Sequence, residues 1–150
     1  MNRVFFRSEE LPMPKYKNAA GSFIKKVLKL LGQDNWELSV LFCNNRYIKS
    51  LNAQYRRKDE PTDVLSFPPG SPCPGGPYCA GDIVISLDAL EENVRFFKVS
   101  HDEELRRLLV HGILHLCGED HSSNNKDEPM LKKQEEILER LKGFSIMEKM

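Results

Sequence analysis

The segment HGILHLCGEDH, residues 111–121, holds three of the chain's four histidines and limits what the surrounding fold can be. His111 and His115 are four apart in an apolar run free of proline, so on a helix both imidazoles leave one face, one turn apart. Gly118 can adopt the left-handed conformation that ends a helix, which turns the chain back and brings His121 to the same point. Three neutral nitrogen donors then converge. Three protein ligands leave a tetrahedral ion one open position, the layout of a catalytic rather than a structural zinc site, so one Zn2+ on His111, His115 and His121 is expected. Cys117, six residues past His111, points off the ligand face and reads as a small core residue.

A ligand helix of this kind needs a core to hold it. A length of 150 residues suits one domain, 1–150, and the 40% apolar and 29% charged content is globular. No apolar run approaches the ~20 residues of a membrane span. The start, MNRVFFRSEELP, lacks the pattern of a secretion signal, so a cytoplasmic protein is expected. Lys plus Arg equals Asp plus Glu at 22 each, so the molecule has no net field to hold a polyanion and any nucleic-acid contact must be local. Cys43, Cys73, Cys79 and Cys117 form no C-x-x-C pair, and in a reducing compartment four free thiols are expected.

The rest of the chain supplies the scaffold. Val4 to Phe6 suggest a first strand, and Ala20, Phe23, Ile24, Val27, Leu28 and Leu31 repeat at helical spacing before Gly32. Trp36 to Phe42 alternate as a strand; Asn44 or Asn45 caps a helix whose stripe is Tyr47, Ile48, Leu51 and Tyr55. Its far end is basic, with Arg56, Arg57 and Lys58 open to phosphate contact or to plain solvation near the negative helix end. Residues 62–67 read as a strand, and PPGSPCPGGPYCAG, residues 68–81, as a surface loop that holds no helix or central strand. Ile83 to Ile85 form a short strand, and Ser86 caps a helix to about Phe97. SHDE opens the histidine helix with a capping box of Ser100 and Glu103. Asp127 caps a last helix carrying Met130, Leu131, Gln134, Ile137, Leu138 and Leu141 as its inner stripe, and the chain beyond Gly143 reads as a frayed tail. The sum is an α+β fold: a small four-stranded mixed sheet, about five helices and a zincin-like metal site on a central helix.

The histidine stretch resembles the metzincin pattern H-E-x-x-H-x-x-G-x-x-H at every ligand position and at the glycine. The glutamate that deprotonates the zinc-bound water in those proteases is missing; Gly112 stands in its place. Beyond the histidines, LNAQYRRKDEPTDVLSFP from Leu51 to Pro68, GDIVIS from Gly81 to Ser86, and Met130 with the QEEIL run from Gln134 together resemble the YbeY family of bacterial metal-dependent endoribonucleases in order and spacing. Most of the chain beyond about residue 36 takes part in that likeness, whereas the proline-rich loop goes its own way.

The resemblance implies that His111, His115 and His121 bind the metal, usually zinc, and that Arg56 is the functional arginine. It implies a single-strand-specific endoribonuclease of ribosomal RNA maturation, with small-subunit ribosomal proteins and assembly factors as partners. A zinc ion on three imidazoles lowers the pKa of a bound water to roughly 7, and a guanidinium can hold two phosphoryl oxygens in a fork, the task that suits Arg56. For the general base, Asp63, Asp82, Glu119 and Asp120 stay open, with Asp120 equally suited to orient a ligand imidazole. Arg57 and Lys58 are expected to line the approach for RNA. Two other readings compete: a ribosome-assembly factor whose zinc is mainly structural and whose nuclease activity is weak, and a metzincin-related protease, against which the absent glutamate argues.

Overall fold

The computed structural model describes residues 1–69 and 77–147. Burial that alternates over residues 36–39 and is continuous over residues 40–43 marks β2 (Trp36–Cys43), an interior strand of a sheet ordered β1-β2-β4-β3. β1 (Arg3–Ser8) and β4 (Tyr78–Ser86) flank β2 in parallel, and β3 (Val64–Phe67) pairs antiparallel with β4 at the edge. Parallel neighbours require a crossover. α1 (Lys17–Leu30) provides it between β1 and β2, and α2 (Asn45–Arg56) follows β2. After β4 come α3 (Leu87–Phe97), α4 (His101–Leu116) and α5 (Pro129–Arg140), completing the α+β architecture expected from the sequence. Three helix starts are held as their residues suggest: Asn44, Ser86 and Ser100 accept from the backbone N–H of Tyr47, Ala89 and Glu103. Each cap is worth about 1 kcal/mol.

Strand side chains alternate, so the sheet has two unlike faces. Leu38, Val40, Phe42, Ile83 and Ile85 face one way and join Ile24 and Leu28 of α1, Leu109 and Ile113 of α4 and Ile137 of α5 in the main core. Leu41, Leu65 and Val84 face the other way and meet Ile48 of α2 in a smaller cluster. α4 lies tight on the first face. A Cβ on Gly112 would come within 2.9 Å of Ile83 Cγ2, so glycine lets the helix approach the strand, and the Gly112 carbonyl accepts from Ser66 Oγ at 3.1 Å. A glutamate in that position would point into packed sheet. The residue that departs from the metzincin pattern is therefore fixed by packing.

Four local expectations are corrected. Residues 78–81 are not loop but the first part of β4, an interior strand. Glu37 pairs with Cys79 and Leu38 with Gly81, so Ala80 is an extra residue in a bulge; Gly81 has φ +119°, and a Cβ there would lie 2.1 Å from the Phe67 carbonyl oxygen. Proline and glycine read locally as turn signals, whereas pairing with β2 decided the outcome; residues 70–76 of the same stretch lie outside the described residues. Cys79 is disulfide-bonded, while Cys43 and Cys117 are free, because a compartment argument carries no information on which sulfurs the fold brings together. The N-cap of α5 is Glu128, not Asp127, and Pro129 opens the helix. Residues 144–147, expected to fray, do not: Ile146 is buried, and Asp102 Oδ1 accepts from the N–H groups of Ile146 and Met147 at 2.6 and 2.8 Å; residues 148–150 lie outside the described residues.

Candidate metal centre

His111 and His115 leave the last two turns of α4, a helix made rigid by Leu105, Leu109, Ile113 and Leu114, all fully buried. Burying side chains of this size contributes about 1.5–3 kcal/mol each. The helix ends at Leu116, and Gly118 takes φ +90°, the turn that a β-carbon would strain. The chain doubles back, and one nitrogen from each of His111, His115 and His121 lies within 4.8 Å of the others.

The orientation of the rings is set from behind. His111 Nδ1 lies 2.7 Å from Gln134 Oε1, His115 Nδ1 lies 3.0 Å from the Glu119 carbonyl oxygen, and His121 Nδ1 lies 2.9 Å from the Ser123 carbonyl oxygen. A backbone carbonyl can only accept, so His115 and His121 donate through Nδ1. Gln134 presents its oxygen to His111 because its amide nitrogen donates to Glu135 Oε2 at 3.2 Å, and Glu135 is itself gripped by Arg107 at 3.0 and 3.3 Å. These partners assign the hydrogen to Nδ1 of all three rings, which leaves Nε2 with a lone pair. Nε2 of His111 and Nε2 of His115 are 3.1 Å apart. Burial lowers the pKa of both residues below the ordinary histidine value, favouring neutral rings.

Two lone pairs at that distance repel unless a cation lies between them. Nitrogens about 2.0–2.1 Å from a tetrahedral zinc are about 3.3 Å apart, close to the observed spacing, and His121 offers its nitrogen within 4.8 Å of the other two. The donor set therefore fits a divalent metal.

The other expected site residues are distributed unevenly. Arg56, the last residue of α2, donates from Nη2 to the Ser66 carbonyl at 2.9 Å, and Ser66 in turn bonds Gly112, next to His111. One residue of β3 thus links the guanidinium to the histidine helix. Asp63 sits nearby, and its charge opposes the fall in the His111 pKa, but both its oxygens are engaged, one by the Val64 N–H and one by Asn93 Nδ2. Asp82 is on the sheet face turned away from α4, beside Tyr55 and Phe67 in a cavity of about 330 Å³, and is not brought to the histidines. Asp120 is exposed, accepts from the His121 N–H at 2.8 Å and stands 3.9 Å from His115 Nδ1; the nearer partner of that ring is the Glu119 carbonyl. Glu119 pairs with Lys133 at 3.0 Å. Arg57, at φ +57°, and Lys58 are exposed just past α2.

Gln134 lies on the inner stripe of α5, as its spacing predicts, but its contact with His111 was not read from the sequence. It falls on the buried stripe of α5 at helical spacing, yet among those apolar neighbours a side chain with only 6% exposure and a polar end requires a partner. That demand was the available signal.

A family model described as Endoribonuclease YbeY matches residues 4–142. Among curated proteins, the Endoribonuclease YbeY of Treponema denticola is 51% identical over 129 residues, 83% of each chain. That of Aquifex aeolicus is 40% identical over 137 residues, 91% of this chain and 89% of the relative. A solution structure of a Thermotoga maritima protein aligns with TM-score 0.58 at 30% identity, covering 93% of this chain and 89% of the other.

Proposed function

The chain belongs to the YbeY endoribonuclease family, a hydrolase acting on RNA, and from that premise we propose a single-strand-specific, Zn2+-dependent enzyme of ribosomal RNA maturation working in the cytoplasm. The observation that carries the metal assignment is the set of three acceptors behind the rings of His111, His115 and His121, which engage Nδ1 of each ring and leave its other nitrogen for a metal. When bound, the ion supplies Lewis acidity toward a phosphoryl oxygen and brings the pKa of a coordinated water to about 7.

The chain's own groups do the rest. Arg56 is anchored through one Nη at Ser66, and its remaining N–H groups hold the equatorial phosphoryl oxygens as they gain charge. Of the four carboxylates considered for proton transfer, Asp82 faces away, both oxygens of Asp63 are engaged and Glu119 is paired with the Lys133 cation. Asp120, exposed at the rim with Oδ1 engaged, among the described residues, only by the His121 N–H and 3.9 Å from His115 Nδ1, is best placed to accept the proton. Arg57 and Lys58 supply local phosphate contacts that the neutral molecule lacks as a whole. The likeness to YbeY proteins supports ribosomal RNA, small-subunit ribosomal proteins and assembly factors as partners. No helix among the described residues is long and apolar enough to cross a membrane.

The test is cleavage of an end-labelled RNA, single-stranded and annealed, by zinc-loaded wild type beside Arg56→Ala and His115→Ala, with folding checked by circular dichroism. The single strand should be cut by wild type only, Arg56→Ala falling about 10²–10³-fold, the cost of removing one charge-stabilising donor. Equal cutting by all three would assign the activity to a contaminant and favour a zinc-carrying assembly factor.

A further inference from the structure

Of the three groups that orient the histidine rings, two are main-chain carbonyls, of Glu119 and Ser123, and one is a side chain, Gln134. The carbonyls are fixed by the path of the backbone whatever residues occupy those positions. Only the third depends on residue identity. We propose that Gln134 is the positioning residue of the metal centre: it holds His111 as the Nδ1–H tautomer with Nε2 aimed into the cluster, and sets how tightly the site binds its metal. The proposal rests on the metal-site reading above and not on the nuclease reading.

Three observations support the role. The contact is short, at 2.7 Å, and Gln134 is 6% exposed, so water has little access to compete for it. The amide cannot flip without loss: turning its nitrogen to His111 would place its oxygen against Glu135 Oε2, which now accepts from Gln134 Nε2 at 3.2 Å. Glu135 is fixed in turn by two bonds from Arg107 of α4. A closed circuit of side chains therefore runs from His111 across to α5 and back to α4. It ties the ring orientation of His111 to the docking of α5 on α4.

Chemistry also separates glutamine from the alternatives. A neutral acceptor orients the ring while adding no charge to the centre, whereas a carboxylate in the same place would orient the ring and raise its basicity. A methionine would fill the same space without accepting. The pair Gln134→Met and Gln134→Glu thus distinguishes accepting from packing.

The experiment measures zinc affinity by chelator competition and the His111 tautomer by nitrogen-15 NMR of the metal-free protein, with thermal melts as the folding check. Wild type should show His111 protonated on Nδ1. Gln134→Met should lose that tautomer preference and bind zinc about 10–100-fold more weakly, the usual cost of removing an orienting partner. Gln134→Glu, which loses the donor to Glu135 Oε2 but keeps an acceptor for His111, should keep the tautomer and bind zinc more tightly than Gln134→Met. The proposal is overturned if wild-type His111 carries its proton on Nε2, if folded Gln134→Met binds zinc as wild type does, or if folded Gln134→Glu is as weak as Gln134→Met. The tautomer in wild type decides the matter even where Gln134→Met fails to fold. RNA cleavage plays no part, so failure here leaves the nuclease reading to its own test.

Discussion

Two parts of the three-histidine cluster are built by opposite means. His111 and His115 sit on α4, whose inner residues Leu105, Leu109, Ile113 and Leu114 are fully buried and whose Gly112 lies against Ile83. His121 sits past the helix end on a polar turn held by its own short-range bonds: Ser122 and Ser123 donate to Glu128 Oε1 at 2.8 and 3.0 Å, and Asp127 N–H donates to Asn125. The helical pair is set by the hydrophobic core and moves only if the core moves. The third histidine is set by a few exposed hydrogen bonds, each worth about 1 kcal/mol or less. The difference teaches how such a cluster would receive a metal: the rigid pair would fix its place and the softer third histidine would adjust to its arrival.

The largest effect should come from removing one histidine of each kind. His115→Ala is expected to weaken zinc binding by more than about 100-fold, beyond the cost of losing an orienting group, while His121→Ala should lose less because a water can take up the vacated position. Titration against a chelator measures both. Equal losses would break the distinction between rigid and adjustable ligands.

Next in size is Gly112→Ala. The added methyl would sit 2.9 Å from Ile83 Cγ2, so α4 must shift from the sheet, at a cost of about 1–3 kcal/mol in denaturant unfolding. The i, i+4 spacing is internal to the helix, so zinc affinity should fall far less than in His115→Ala. An affinity loss as large as that of His115→Ala would mean that the seat of α4 on the sheet, not the helix itself, positions the pair.

The smallest effects are those of pH, and the two regions should respond with opposite sign. Glu104, 3% exposed on α4 and hydrogen-bonded by Asn93 Nδ2 at 2.9 Å, has its pKa raised, chiefly by burial. The native state then holds that proton more tightly than the unfolded chain, so stability falls as pH rises from the ordinary carboxylate value through the raised one. Glu104→Gln should remove this slope in metal-free unfolding curves. Glu128 in the turn has its pKa lowered by the hydroxyls of Ser122 and Ser123. Its tether is fully present above the ordinary value and is lost as pH falls through the lowered one. Amide protection factors in residues 121–128 of the metal-free protein should therefore fall as pH drops through that lowered value, and lose that dependence in Glu128→Gln. A turn whose protection factors ignore pH would show that something other than Glu128 holds His121.

Much of this was legible in the chain itself, and the reason is locality. His111 and His115 meet because a helix repeats every 3.6 residues, Gly118 turns because it lacks a β-carbon, and Ser86 and Ser100 cap because their hydroxyls reach N–H groups three residues on. Alternation over residues 36–39 and the stripe of α1 follow from period alone. These contacts span a few residues, so the residues involved determine them without the rest of the molecule.

Only the tertiary structure decided what lies between distant segments. Tyr78 to Gly81 became part of an interior strand because β2 pairs with them, against their own turn-forming character. Ile146 joined the core because Asp102, forty-four residues away, accepts from its N–H. Asp82 was sent to the face opposite α4 by the two-residue alternation of β4 together with the placement of the helices, which sequence spacing does not report. Gln134 met His111 because α5 packs on α4. A side chain's period states that it points inward; which atom waits there is a property of the assembled fold, since hydrogen-bond partners depend on position to within a few tenths of an ångström.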